Sequence, residues 1–122
     1  MYIRNQVCHI KTIKLIFAKD VAVRHIGEMI QVNKCLRRIS LAKHDITDEG
    51  LVPIVLGLMR NRHLNYVDLR VNKIGVDGAV AIGHLLKRNK SIKYLNLSAN
   101  RIIDAGATGL VSGLKVNNTL TE

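Results

Sequence analysis

The chain has 122 residues and a formal net charge of +10, with 48% apolar residues but only 3% aromatic and no tryptophan. Its interior must therefore be built from Leu, Ile, Val and Ala in thin layers of a single structural unit, and its charge favours acidic partners. No stretch approaches the roughly 20 apolar residues of a membrane span, and the run Ile13, Leu15, Ile16, Phe17 and Ala18, broken by Lys14, does not read as a signal peptide.

Residues 1–35 read as a degenerate first repeat or an N-terminal cap. Counting back 28 residues from the later columns gives Cys8, Lys11, Ile13, Ile16, Ala18, Asp20, Ala22, Ile26, Ile30 and Asn33. Lys11 then occupies an inward strand column, which suits a terminal repeat with one face lacking a neighbour. Cys8 and Cys35 form neither a CxxC nor a metal-ligand spacing and are expected as reduced, packing thiols.

Residues 36–63 carry the first full unit. Leu36, Ile39 and Leu41 are inward side chains of a short strand, and His44 stands where the strand turns away. Ile46 returns to the core, and Asp48 opens a helix whose stripe is Gly50, Ile54, Leu58 and Asn61. Pro53 is expected early in that helix, where a missing N–H costs little.

Residues 64–91 repeat the unit as Leu64, Val67, Leu69, Asn72, Ile74, Asp77, Gly78, Ile82, Leu86 and Asn89. Gly78 is expected to be small because its helix packs close to the strand layer. Residues 92–119 give Ile92, Leu95, Leu97, Asn100, Ile102, Asp104, Gly106, Leu110, Leu114 and Asn117, and another unit starts at Leu120. A fixed period in this range predicts a solenoid, in which each unit buries its apolar face against its neighbours.

The strings from Leu64 to Ile74 and from Ile92 to Ile102 follow the pattern LxxLxLxxNxI, with Val67 in the second Leu position of the first. A glycine-containing helix and a terminal NxxL follow. This pattern resembles the leucine-rich repeat, and the 28-residue length resembles the ribonuclease-inhibitor-like subclass. The resemblance is strong over 36–122 and weak over 8–35. It implies an α/β leucine-rich-repeat solenoid, a short horseshoe segment with parallel strands on the concave side and helices on the convex side. The subclass includes GTPase regulators, sensors, and cytoskeletal and ciliary proteins. Ribonuclease inhibitors are acidic and cysteine-rich, whereas this chain is basic with two cysteines, so the same ligand class is not implied.

Strand residues that alternate with the inward ones face the concave side: Arg38, Ser40 and Ala42; Tyr66, Asp68 and Arg70; Tyr94, Asn96 and Ser98. Tyr66 and Tyr94, one repeat apart, should lie side by side. Lys34, Arg37, Arg38, Arg60, Arg62, Lys87, Arg88, Lys90, Lys93 and Lys115 fall at helix ends or in the loops that follow, predicting a basic rim. Helix C-termini favour one cation each, but the cluster Lys87-Arg88-Asn89-Lys90 exceeds that. The candidate contact residues are therefore Arg38, Arg62, Tyr66, Asp68, Arg70, Lys87, Arg88, Lys90, Lys93, Tyr94 and Asn96. The candidate structural set is Leu41, Leu69, Leu97, Asn72 and Asn100, with Leu69 and Leu97 at equal depth and both asparagines bonded to backbone.

The five histidines show no metal-ligand spacing, and no nucleophile or phosphate-loop motif appears, so neither enzyme activity nor a cofactor is expected. The reading is a cytoplasmic protein-interaction module or scaffold, cytoskeletal or ciliary in setting. It would bind an acidic protein partner through its basic rim and concave face, with its C-terminal flank covered by another chain or a longer parent chain. The alternative is a small-GTPase regulator or a sensor-type fragment. Nucleic-acid binding is less well supported, because no aromatic platform is interleaved with the cations.

Overall fold

Each 28-residue unit becomes a three-residue strand followed by a helix. The structure is a computed structural model that describes residues 12–14 and 20–122. In chain order it contains β1 (Thr12–Lys14), α1 (Asp20–Val32), β2 (Arg38–Ser40), α2 (Asp48–Arg60), β3 (Tyr66–Asp68), α3 (Val76–Arg88), β4 (Tyr94–Asn96) and α4 (Asp104–Leu114). The strands form a parallel sheet in the order β1-β2-β3-β4. Parallel neighbours require a crossover, and here each crossover is a helix laid on one face of the sheet.

The core runs continuously between sheet and helices. Ile39, Leu41, Val67 and Leu69 from the strand layer meet Ile54, Leu58, Ile82 and Leu86 from the helices, and each is at most 1% exposed. The chain then thins. Leu69 is 1% exposed, whereas Leu97 is half-buried, as are Leu95, Ile102 and Leu110. Equal depth for Leu69 and Leu97 is thus corrected. A solenoid leucine is covered from both sides, and beyond β4 there is only the segment of Leu120, which packs on the core, and Thr121 and Glu122, where Glu122 accepts from the Leu95 N–H and Thr121 donates to the Lys93 carbonyl.

Two asparagine ladders join the layers. At the strand exit, Asn72 Nδ2 donates to the carbonyls of Leu41 (3.0 Å) and Leu69 (2.9 Å), while its Oδ1 accepts from the backbone of His44 and Ile46. Asn100 repeats this on Leu69 and Leu97 and accepts from Ile74. At the helix exit, Asn61, Asn89 and Asn117 donate to the carbonyls of Ile30, Leu58 and Leu86, so each answers an orphan carbonyl in the last turn of the preceding helix. His44 departs from the first ladder. It is buried, its Nδ1 donates to the Ala42 carbonyl at 2.6 Å, and its Nε2 has no hydrogen-bond partner among the described residues.

The strand register corrects the count-back through the first unit. Thr12, Ile13 and Lys14 pair with Arg38, Ile39 and Ser40, an offset of 26 residues rather than 28. The β1–α1 connection is two residues shorter than its counterparts. A shift of two preserves which face a strand residue takes, so Ile13, not Lys11, stands opposite Ile39; Lys11 itself lies outside the described residues. Cys35 is half-buried and disulfide-bonded rather than a reduced thiol, because bonding follows spatial proximity and not sequence spacing. Cys8 lies outside the described residues.

Helix contacts alternate. A Cβ on Gly27 of α1 would strike the Pro53 carbonyl of α2, and one on Gly57 would fall 2.5 Å from the Gly27 carbonyl. Two repeats later, a Cβ on Gly83 of α3 would strike the Gly109 carbonyl of α4, and one on Gly113 the Gly83 carbonyl. Between α2 and α3 the same columns hold Val55, Ala81 and Leu85, and these helices stand apart around a cleft. Gly78 makes way for Asp48, Leu51 and Ile74, so its close neighbours include the preceding helix's first turn as well as its own unit. Pro53 is the sixth residue of α2, past the first turn, and forgoes an N–H bond to Glu49.

Candidate functional site

The sheet's concave face presents a stack built from one column of the repeat. Arg38, Tyr66 and Tyr94 are register partners on β2, β3 and β4. The Tyr66 and Tyr94 rings lie 4.3 Å apart at 3°, and the Arg38 guanidinium carbon stands 3.8 Å from the Tyr66 centroid. Cross-strand aromatic pairs contribute about 0.2–1 kcal/mol, and an exposed cation on a ring adds about 0.5–1 kcal/mol. Tyr94 also accepts from Asn96 Nδ2 at 3.3 Å. Burial, the hydrogen bond and charge of Tyr94, and the Asp68 carboxylate raise the Tyr66 pKa above its ordinary 10.0, with Arg38 opposing. The neutral phenol is therefore favoured, and its contribution to stability is lost as pH rises through that raised value.

Below the stack lies a second polar column. Asp68 is 4% exposed. Its carboxylate accepts from Ser40 Oγ at 3.4 Å and from the Arg70 backbone at 3.1 Å, and it pairs with Arg70 Nε at 3.3 Å. Asp68 shares the concave face with the stack but lies deeper than strand alternation alone indicates, since alternation assigns a face and not a depth. Asp68 positions the exposed Arg70. Asn96 uses its Oδ1 on the Ser98 backbone, as Asp68 does on Arg70.

The cations divide into groups. Arg60 lies in the last turn of α2, and Lys87 and Arg88 in that of α3. Lys34, Arg62 and Lys90 occupy one column in successive loops after the helices, all exposed, giving one cation per repeat along that edge. Lys93 and Lys115 are exposed as well. Arg38 belongs to the concave stack rather than the rim. Arg37 is half-buried and donates to the carbonyl of Lys34. The 28-residue spacing of positions 38, 66 and 94 puts Arg38 in one column with the two tyrosines, as strand alternation indicated.

The leucine-rich-repeat model matches residues 32–55, 60–83 and 88–111, more than half of the chain. The chain belongs to the leucine-rich repeat family. Among solved structures, this leucine-rich-repeat chain is similar to the leiomodin-1 actin-binding site 2 at 19% identity and a TM-score of 0.85, covering 95% of this chain and 70% of that one. It is also similar to the tropomodulin C-terminal domain of Caenorhabditis elegans at 14% identity and a TM-score of 0.79, covering 96% and 74%. At these identities the likeness is one of fold. No curated protein sequence matches the chain. No described helix is long and apolar enough to cross a membrane.

Proposed function

We propose that this leucine-rich-repeat chain is a protein-interaction module of a cytoskeletal assembly, and that its concave stack and basic edge receive an acidic protein surface. The observation that carries this is the Arg38–Tyr66–Tyr94 stack. It presents an exposed guanidinium on the Tyr66 ring, itself stacked on Tyr94, and such aromatic and arginine anchors dominate binding energy at interfaces. Arg70, fixed by Asp68, adds a second oriented cation. Lys34, Arg62 and Lys90 supply long-range attraction, which raises association rates more than it holds the complex. The actin-binding description of the leiomodin-1 neighbour makes filamentous actin the first partner to test. The half-buried Leu95, Leu97 and Leu110 beside β4 support the further reading that more protein surface covers that flank.

Co-sedimentation with filamentous actin at rising salt tests the proposal. Binding is expected and should weaken as exposed charges are screened above about 0.15 M salt. Arg62→Glu with Lys90→Glu and Lys93→Glu should slow association about tenfold or more. Arg38→Glu with Tyr94→Ala should shorten the lifetime of the complex. Binding that neither set of substitutions alters would remove the concave face from the interaction.

A further inference from the structure

The helical side carries an apolar cleft that the repeat pattern does not require. Val52, Val55, Leu56 and Met59 of α2 and Ala81, His84 and Arg88 of α3 line it, and it encloses about 420 Å³. Val52 is 50% exposed and Leu56 57%. The core needs neither, since Leu51, Ile54 and Leu58 already cover the sheet from the opposite face of α2.

Comparing columns separates scaffold from specificity. Where α2 has Val52, Leu56 and Met59, α1 has Arg24, Glu28 and Gln31. At the same places α4 has Thr108, Ser112 and Lys115. In α3 the columns of Leu56 and Met59 hold His84 and Lys87, so both are polar in every other helix. Leu56 and Met59 are therefore apolar in α2 alone, and exposed apolar groups gathered in a groove mark a contact site.

Charge identifies the occupant. α2 and α3 run parallel: Gly78 lies against Leu51 near their starts, and Asn89 bonds the Leu58 carbonyl near their ends. Exposed Glu49 and Asp77 stand in their first turns, and exposed Arg60 and Arg88 in their last. The cleft, with Arg88 in its lining, thus runs from the acidic first turns of its two helices to their basic last turns. A helix entering with acidic residues in its own first turn, as helices favour, matches those charges only when it lies antiparallel to α2 and α3. Its dipole then also opposes theirs. We infer that the α2–α3 cleft docks an amphipathic helix of a partner protein, antiparallel to α2 and α3. An apolar stripe would rest on Leu56 and Met59, and an acidic first turn would meet Arg60 and Arg88.

Fluorescence anisotropy with two labelled synthetic helices of about four turns tests this. Both carry one leucine stripe. The first has glutamates in its first turn and lysines in its last, and the second has these exchanged. The first should bind the 122-residue chain about tenfold more tightly than the second. Leu56→Ser with Met59→Lys installs the residues α4 already has and should weaken binding of the first peptide about 30-fold or more. Leu56→Ser alone, at a solvent-facing position that leaves the core untouched, should weaken it in the same direction. Tyr94→Ala, on the other face, should leave it unchanged. Equal affinity for the two peptides, binding undiminished by the double substitution, or no binding of the first peptide at about 1 mM would each overturn the inference. So would self-association of the unmodified chain that Leu56→Ser abolishes, because the occupant would then be a second copy.

Discussion

Lys43, Val71 and Ala99 share a column and all adopt positive φ, between 56° and 63° for Lys43 and Ala99 and 55° for Val71. This left-handed step lets the strand turn away beneath the asparagine ladder, and the Lys43 and Val71 N–H groups still reach the carbonyls of Arg70 and Ser98. Val71 suits it least, because a β-branched side chain crowds the left-handed region. Val71 is also 42% exposed, so little packing depends on it. Val71→Asn is expected to stabilise the chain by about 1 kcal/mol and raise the melting temperature by a few degrees. An unchanged or lower melting temperature would show that the valine is not strained. Nothing in the letter Val announces a left-handed backbone, so this column was invisible in the sequence. The asparagines were legible because their chemistry matches their task, whereas the depth of Asp68 depended on neighbours that only the fold supplies.

At the scale of helices, the glycine contacts decide which neighbours touch. On Gly83 the obstacle to a methyl group is the Gly109 backbone, which cannot rotate aside as a flexible side chain could. Gly83→Ala should therefore push α3 and α4 apart, costing about 1–3 kcal/mol as overpacked interiors do. Urea denaturation of the variant checks this, and an unchanged midpoint would mean the two helices are free to separate. Aligning the sequence by single repeats hides the arrangement, because Gly27, Val55, Gly83 and Val111 form an inconsistent column at 28 residues and a regular one at 56. Counting at a single period also missed the shortened β1–α1 connection, since the count passes through the missing two residues without noticing them.

For the molecule as a whole, stability falls along the axis of the stack. Leu69 lies between covered layers and Leu97 beside a half-covered one. Leu69→Ala should cost about 2–5 kcal/mol, and Leu97→Ala clearly less, because a half-exposed side chain leaves a smaller void. Thermal unfolding compares them directly, and equal losses would mean that β4 is as well buried as β3. The solenoid architecture, its inward columns and the cations at helix ends were readable from periodicity, which depends on residue type and spacing alone. The concave column of Arg38, Tyr66 and Tyr94 was readable too, but the seat of the guanidinium on the Tyr66 ring and the α2–α3 cleft were not, because both arise between side chains of neighbouring repeats.

The alternation of close and open helix pairs has a consequence for how such a chain can lengthen or shorten. A unit ending in the α2 type offers Val55 to its successor, while the α1 type offers Gly27. Removing one repeat would mismatch the junction it closes: without the α2 unit Gly27 would face Ala81 and Leu85, and without the α3 unit Val55 would face Gly109 and Gly113. Removing two would restore every junction. The heritable module is then a doublet, and insertions or deletions that survive in such a chain are expected in even numbers of turns.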